Sequence, residues 1–190
     1  VTITGRSEEK LRPLAQRIGG KAKAVTLDIN NRDKLVQLMR DHDVVAGAVG
    51  PYYLYEVPLA RAAIEAGVPY ASICDDHDAA QSVLALDETA RRAGVTVLSG
   101  IGWTPGITNL LVKQGVAQLD EAKEAHIAWA ASVSDSEGAG AGLHLLHVLS
   151  GPVPTYTNGA WTQVQAGTGK LAVDFGPPVG KATVYHVGHP

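Results

Sequence analysis

The 190-residue sequence predicts an α/β protein in which a doubly wound parallel sheet is followed by a smaller α+β unit. In the first half, short apolar segments recur roughly every 20 to 25 residues, and segments with helical periodicity lie between them. After Pro105-Gly106 the composition changes, and from Gly151 onward turn residues separate short strand-like segments. The first pattern is typical of right-handed βαβ units and the second of antiparallel hairpins.

The first predicted elements are a strand and an amphipathic helix. Residues 1–4 are mostly β-branched, and Gly5, Arg6 and Ser7 turn the chain into a helix that reaches about Ile18. Ser7 is a good N-cap, acidic residues follow it in the first turn, and Gly19-Gly20 ends the helix. The next predicted strands cover 24–27, 44–49, 68–73 and 95–98. Three further helices are predicted: one capped by Asn30 or Asn31, one from about Val57 to Ala66, and one from about Ala79 to Ala93.

This pattern gives about five strands, whereas a full dinucleotide-binding sheet has about six, with a glycine-rich phosphate loop after the first. No G-x-G-x-x-G follows a strand in this chain. Either the first strand and its loop are missing or the fold never had them, and the absence of an initial Met favours truncation. The last residues, Gly188-His189-Pro190, contain no capping or terminating pattern, so we expect the C-terminus to be truncated as well. We expect weak cofactor binding without the loop, because its backbone donors bind the pyrophosphate.

The second half is predicted to be an α+β unit. The expected elements are a helix at 107–119, a strand at 125–131 and a helix at 143–149, after a Gly/Ala/Ser-rich stretch at 132–142. Asn158-Gly159 between two strand-like segments predicts a hairpin. We therefore divide the chain into a partial NAD(P)-binding domain, 1–108, and a partial substrate and dimerisation domain, 109–190.

Composition excludes several classes of function. A formal net charge of -3 with both signs scattered provides no basic stripe, so we expect no nucleic-acid partner. Apolar runs are short, which predicts no membrane span and, without a leader, a soluble cytoplasmic protein. Cys74 is the one cysteine, so no internal disulfide can form. We expect a homodimer that binds a small molecule.

Arg6 is the first candidate for cofactor binding. It follows a predicted strand at the point where an acidic residue would accept hydrogen bonds from the 2'-hydroxyl of the adenine ribose, whereas an Arg can bind a 2'-phosphate. Gly5-Arg6-Ser7 therefore favours NADP over NAD, although a solvated Arg near a helix start is the plain alternative. Asp28, at the end of the next strand, could approach the adenine or could equally cap a helix.

Two later strand ends could surround the nicotinamide and the substrate. Val49, Gly50 and Pro51 form a small-residue turn that lets backbone approach the cofactor, or simply a tight turn. The aromatic residues after it could line a substrate or pack a domain interface. These are Tyr52, Tyr53 and Tyr55.

The polar segment from Ser72 to Asp78 follows the next strand. Asp75, His77 or Tyr52 could exchange the proton that accompanies hydride transfer. A polar loop in which Asp76 or Asp78 caps a helix explains the same residues, and Cys74 is better interpreted as a packing residue.

No metal site is predicted. His144 and His147 are one helical turn apart and can share a face, but no third ligand follows at a recognisable spacing. A substrate-binding face or a structural role explains them better. Trp103 and Asn109 flank the Pro-Gly turn, where they could line the cofactor pocket or pack the domain junction.

Taken together, six segments resemble the saccharopine dehydrogenase-like family of NAD(P)-dependent oxidoreductases, over nearly the whole chain. They are GRSEEKL, the Leu27-Asp28 pair, DVVAGAVGPYY, ARAAIEAGVPY, ALDETARRAGVTVLSGIGWTPGITNLL and HLLHVLSG. The resemblance implies a Rossmann-type domain joined to a mixed-sheet domain. Hydride would pass between NADP(H), with NAD(H) as the alternative cofactor, and a carbon bonded to nitrogen in an amino acid or its imine.

The resemblance also implies roles for particular residues. Arg6 matches the 2'-phosphate position, Val49-Gly50-Pro51 the turn below the nicotinamide, and Ser72 to Asp75 the strand end facing it. The segment from Gly102 through Pro105 to Gly106 matches the Pro-Gly turn of the family. Apart from the resemblance, Lys123, Lys170 and Lys181 could bind a substrate carboxylate, but no sequence pattern indicates that they converge.

Two other functions remain open. The trans-acting enoyl reductases of the same family share GRS and GPY, but have an acidic Asp-x-x-Gly-Glu where this chain has SICDDHD. That difference favours the amino-acid branch, although SICDD does not match saccharopine reductase closely either. The other alternative is a non-catalytic dinucleotide-binding sensor or scaffold.

Overall fold

The computed structural model of the protein describes residues 1–132 and 138–189. Helices and strands alternate up to residue 98, and hairpins follow the last helix. The elements are β1 (Thr2–Gly5), α1 (Glu8–Ile18), β2 (Lys23–Thr26), α2 (Arg32–Arg40), β3 (Val45–Gly47), α3 (Tyr52–Ala66), β4 (Tyr70–Ser72), α4 (His77–Leu84), α5 (Asp87–Ala93), β5 (Val97–Leu98), α6 (Ile107–Val116), α7 (Ala139–Val148), β6 (Pro152–Thr157), β7 (Ala160–Gln165), β8 (Leu171–Asp174) and β9 (Lys181–Val184).

The five strands of the first half are parallel, as the βαβ pattern predicts. They form two sheets, β1-β2 and β3-β4-β5, whereas the sequence predicts one. A cleft of about 490 Å³ lies between the sheets and is lined by Thr2 and Thr4 of β1 and by Val45, Ala46 and Gly47 of β3. In a doubly wound sheet with strand order 3-2-1-4-5-6, the first strand lies between the second and fourth strands.

The main core lies on the helical side of these strands. Leu35, Val36 and Met39 of α2 pack with the apolar residues of α3 and with Tyr70 of β4. Burial of this kind contributes about 25 cal/mol per Å² of apolar surface, so the parallel half contains most of the hydrophobic stabilisation. Among the described residues after α6, the buried apolar side chains are Val148, Val153 and Ala166.

Local capping matches several predictions. Ser7 accepts a hydrogen bond from the Lys10 amide, and Asn31, not Asn30, caps α2 through the Lys34 amide. Gly67 and Gly94 end α3 and α5 in the left-handed conformation.

Two predicted helices differ from the observed ones. Helix α3 begins at Tyr52 and not near Val57, because Pro51 already occupies the N-cap position. The single helix expected from Ala79 to Ala93 is two helices, α4 and α5, separated at Ala85 and Leu86. Leu86 is buried there, so the break places an apolar side chain in the core.

The second half contains two antiparallel hairpins. Asn158-Gly159 connects β6 to β7 as predicted, and β8 pairs with β9. The strand predicted at 125–131 is wrong: those residues are largely exposed and pair with no strand among the described residues, so their weak alternation has no sheet to join. Part of the predicted 132–142 stretch, residues 133–137, lies outside the described residues. No described helix has the length and apolar character needed to cross a membrane.

Candidate active site

Four segments meet near the carboxyl ends of β3, β4 and β5. They are the turn at Gly50-Pro51, the segment from Ile73 to Asp78 that ends in the first turn of α4, the turn from Gly100 to Gly106, and helix α7. In open α/β sheets ligands bind in the crevice at this edge, so this is the candidate active site.

Helix α7 approaches the Gly50-Pro51 turn closely. A Cβ on Gly140 would lie 3.1 Å from the Gly50 carbonyl oxygen, so a larger residue would push the helix off the turn. The close contact places the predicted nicotinamide turn beside the helix that contains His144 and His147.

The Gly100–Gly106 turn packs on the end of β4. The Ile101 amide donates to the Ser72 carbonyl oxygen at 2.9 Å, and Pro105 is buried beside Gly100. Asn109 accepts a hydrogen bond from the Gly106 amide and so closes the turn. Trp103 is exposed.

The Ser72 side chain points into the core and not toward the crevice. Its hydroxyl donates to the carboxyl group of Glu56, which also accepts from Tyr70 at 2.9 Å and from Ser99 at 3.0 Å. Glu56 is completely buried. Three hydroxyl donors therefore satisfy a buried acid in place of a cation. No sequence pattern indicated this network, because an acid in a helix ordinarily faces solvent.

A cluster of histidines and aspartates lies on the crevice side of the β4 end. Asp76 is fully buried, accepts the Tyr53 amide at 2.8 Å, and lies 2.8 Å from Nδ1 of His144. Asp75 Oδ1 lies 3.5 Å from the same nitrogen.

A second pair lies beside this cluster. His147 Nε2 lies 3.2 Å from Asp78 Oδ1, and the His147 ring stacks on Tyr53 with centroids 4.2 Å apart. His144 and His147 therefore share a face of α7, as predicted; His144 contacts the β4–α4 loop and His147 contacts the first turn of α4. His189 completes the group with its ring 5.7 Å from that of His144, edge to face.

The pKa values in this cluster diverge. Burial raises the pKa of Asp75 more than the nearby His144 lowers it. Burial also acts to raise the pKa of Asp76, but the hydrogen bonds from His144 and from the Tyr53 amide lower it overall. The hydrogen bond to Asp76 raises the pKa of His144, whereas burial lowers the pKa of His189 to about 4. Pairs of titratable groups whose environments shift their pKa values in opposite directions are typical of functional sites.

Two neighbouring side chains are protonated at neutral pH. Burial, followed by the charge of Asp75, raises the pKa of the Tyr52 phenol. Burial raises the pKa of the Cys74 thiol to about 12, which fits a packing residue and not a nucleophile. The charge of Asp75 acts on the Tyr52 phenol, so the two side chains are neighbours. His77 begins α4, and its buried Nδ1 makes no hydrogen bond to the described residues.

Arg6 lies at the other end of the predicted cofactor site. It follows β1, is exposed, and forms no ion pair with the described residues. The parallel pairing of Gly5 with Thr26 brings the end of β1 next to Asp28, which accepts hydrogen bonds from Asn30 and borders an open groove of about 470 Å³. Asp28 therefore forms a turn and does not cap α2.

The predicted lysines do not converge. Lys123 is exposed and pairs with Glu121 at 3.9 Å, while Lys170 and Lys181 are exposed near the β8-β9 hairpin. The described residues thus offer no shared carboxylate site among these three.

The sequence model for the saccharopine dehydrogenase NADP binding domain matches residues 1–98. The chain is 31% identical over 109 residues to the lipid droplet localized protein of Caenorhabditis elegans, and 28% identical over 111 residues to the saccharopine dehydrogenase-like oxidoreductase of Rattus norvegicus. Each alignment covers 53% of this chain and 26% of the relative, so the chain corresponds to about a quarter of their length.

A solved structure shares the fold. The apo form of saccharopine dehydrogenase (L-Glu forming) from Saccharomyces cerevisiae matches with a TM-score of 0.66 and 18% identity, over 99% of this chain and 44% of that chain. At this identity the match establishes the Rossmann-type architecture, which is the predicted fold class.

Proposed function

The chain belongs to the family of the saccharopine dehydrogenase NADP binding domain, and on this premise we propose that it transfers hydride between NADP(H) and a carbon bonded to nitrogen. The family consists of NADP-binding oxidoreductases. The proposed substrate is an amino acid or the imine formed from one.

One observation carries the proposal: groups able to exchange a proton converge at the sheet edge where a dinucleotide binds. Reduction of an imine adds a hydride to carbon and a proton to nitrogen, so a proton donor must lie beside the nicotinamide. Tyr52, Asp75 and His77 lie at this edge, next to the Gly50-Pro51 turn. We propose that the proton is exchanged within this group.

Arg6 supports the choice of NADP. Its guanidinium is exposed at the end of β1 and unpaired among the described residues, and it directly precedes the N-terminus of α1. A guanidinium binds phosphate through paired donors, and a helix N-terminus favours the same charge. We propose that Arg6 binds the 2'-phosphate.

The reaction is tested with NADPH that carries deuterium at the transferred position. The protein is incubated with labelled NADPH and imines prepared from amino acids and polyamines, and the products are analysed by mass spectrometry. We expect deuterium on the carbon bonded to nitrogen. Deuterium on a carbon of a C=C bond would instead indicate an enoyl reductase, and NADPH binding without transfer to any substrate would indicate a sensor or scaffold. Either result contradicts the proposal.

A further inference from the structure

Three side chains that are distant in sequence meet beside the end of β4. Asp75 lies in the β4–α4 loop, His144 in α7, and His189 in the segment after β9. Each offers one atom able to bind a metal ion, and these three atoms lie within 4.8 Å of one another. Two imidazoles and one carboxylate are a donor set of zinc sites that retain an open coordination position.

Two of these side chains have buried polar atoms without a hydrogen-bond partner among the described residues. Asp75 Oδ1 and His189 Nδ1 are buried and make no hydrogen bond to the described residues. The large majority of buried polar atoms in proteins have a partner, so two unsatisfied atoms in one cluster require an explanation. A bound cation would satisfy both.

Asp76 positions the third ligand. Its carboxylate lies 2.8 Å from Nδ1 of His144 and has no exposed surface. A carboxylate accepts the hydrogen on Nδ1, which leaves Nε2 as the ring nitrogen with a free lone pair. Carboxylates that orient metal-binding imidazoles in this way are common around zinc.

The local charge also favours a cation. Asp75 and Asp76 are adjacent, and their ion pairs with the described residues all involve His144. One imidazole cannot balance two partly or fully buried carboxylates, and unbalanced buried charge is costly.

We propose that Asp75, His144 and His189 bind a divalent transition-metal ion, with zinc as the ion whose chemistry fits best. The ion would connect the β4–α4 loop, helix α7 and the C-terminal segment next to the Gly50-Pro51 turn. Its remaining coordination positions would be available to water or to an amine or carboxylate group. This site goes beyond the proposed hydride transfer. It shares Asp75 with the proton-exchanging group, so with the ion bound the proton would be exchanged by Tyr52 or His77; binding of the ion itself does not depend on hydride transfer.

The test is calorimetric titration of the metal-free protein with Zn²⁺, together with visible spectroscopy of the Co²⁺ form. We expect one ion per chain and a Co²⁺ spectrum typical of four or five nitrogen and oxygen ligands. His189→Ala and Asp75→Asn are expected to weaken Zn²⁺ binding at least tenfold. Asp76→Asn, which alters only the orienting carboxylate, is expected to weaken it by about 10- to 100-fold.

The control is His126→Ala, because His126 is 64% exposed, its ring lies beside Glu124, and it is not among the three proposed ligands. Circular dichroism of each metal-free variant checks that the fold is intact. If His189→Ala unfolds, Asp75→Asn still tests the site, because it preserves side-chain volume. Absence of Zn²⁺ binding, or binding equally weakened by His126→Ala, would overturn the proposal. NADPH titration in parallel separates this site from the proposed function, because either ligand can bind when the other does not.

Discussion

The parallel half, residues 1–98, and the hairpin half, residues 139–189, are held together by different interactions. In the parallel half, helices and strands that are distant in sequence bury one apolar cluster around α2, α3 and β4. In the hairpin half, β6 pairs with β7 and β8 with β9, so most hydrogen bonds join neighbouring segments. The family match ends at residue 98, with the parallel half.

The comparison shows how the candidate site is built. The parallel half supplies a rigid sheet edge, and the hairpin half supplies His144, His147 and His189 through α7 and the segment after β9. The histidines depend on few buried contacts of their own, so the buried pair of Asp76 and His144 is an important link between the halves.

The largest effect is expected from the core of the parallel half. Leu35→Ala removes a side chain that is 6% exposed and leaves a cavity in the cluster, so the free energy of unfolding should fall by about 2–5 kcal/mol. Leu146→Ala in α7 of the hairpin half removes the same atoms from a side chain that is 67% exposed and should change the free energy of unfolding by less than about 0.5 kcal/mol. Chemical denaturation followed by circular dichroism measures both, and equal effects would contradict the comparison.

An intermediate effect is expected from the buried acid. Glu56→Gln replaces one acceptor oxygen with a donor amide while three hydroxyl groups still point at the site, so unfolding should become easier by about 1–3 kcal/mol. Tyr70→Phe removes a single donor and should cost less. Urea titration of the two variants checks the order, and a Glu56→Gln variant as stable as the wild type would show that the network contributes nothing.

The smallest effect is expected from the β6-β7 turn. Gly159 has a φ of 75°, so Gly159→Ala should destabilise the hairpin by about 1–2 kcal/mol. Gly142→Ala, at a helical glycine of α7 with open space around it, should instead stabilise by about 0.5–1 kcal/mol. Hydrogen exchange of the β6 and β7 amides is the measurement. If Gly159→Ala increased the exchange rate of the α2 amides more than that of the β6 and β7 amides, the effect would not be local, which would contradict the prediction.

The two halves also differ in how far their structure could be predicted. Helical periodicity and caps such as Ser7 locate the helices of the parallel half, and the spacing of apolar segments locates β1 to β5. Each of these signals is local in sequence, and burial in the core requires the same apolar pattern. The same approach fails at 125–131, where alternation lacks a partner strand. The split of the sheet at the β1–β3 cleft could not be predicted either, since it depends on which strands pair.

The site follows the same rule. The strand-end residues Tyr52, Asp75 and His77 could be chosen from sequence because parallel strands end at one edge. The contact between His144 and Asp76 spans 68 residues and depends on how α7 packs on the sheet, so no local spacing predicts it. The domain boundary at residue 108, a homodimer and a cytoplasmic location remain predictions from the sequence.

The central claim is that the β1 end binds the 2'-phosphate of NADP. The most direct measurement is calorimetric titration of the protein with NADPH and with NADH, repeated with Arg6→Ala and with Arg17→Ala, an exposed Arg at the far end of α1. We predict tighter binding of NADPH than of NADH. In Arg6→Ala this preference should fall about tenfold or more, as expected for losing charged hydrogen bonds, and in Arg17→Ala it should persist. Equal affinity for the two cofactors, or a preference that survives Arg6→Ala, would contradict the claim.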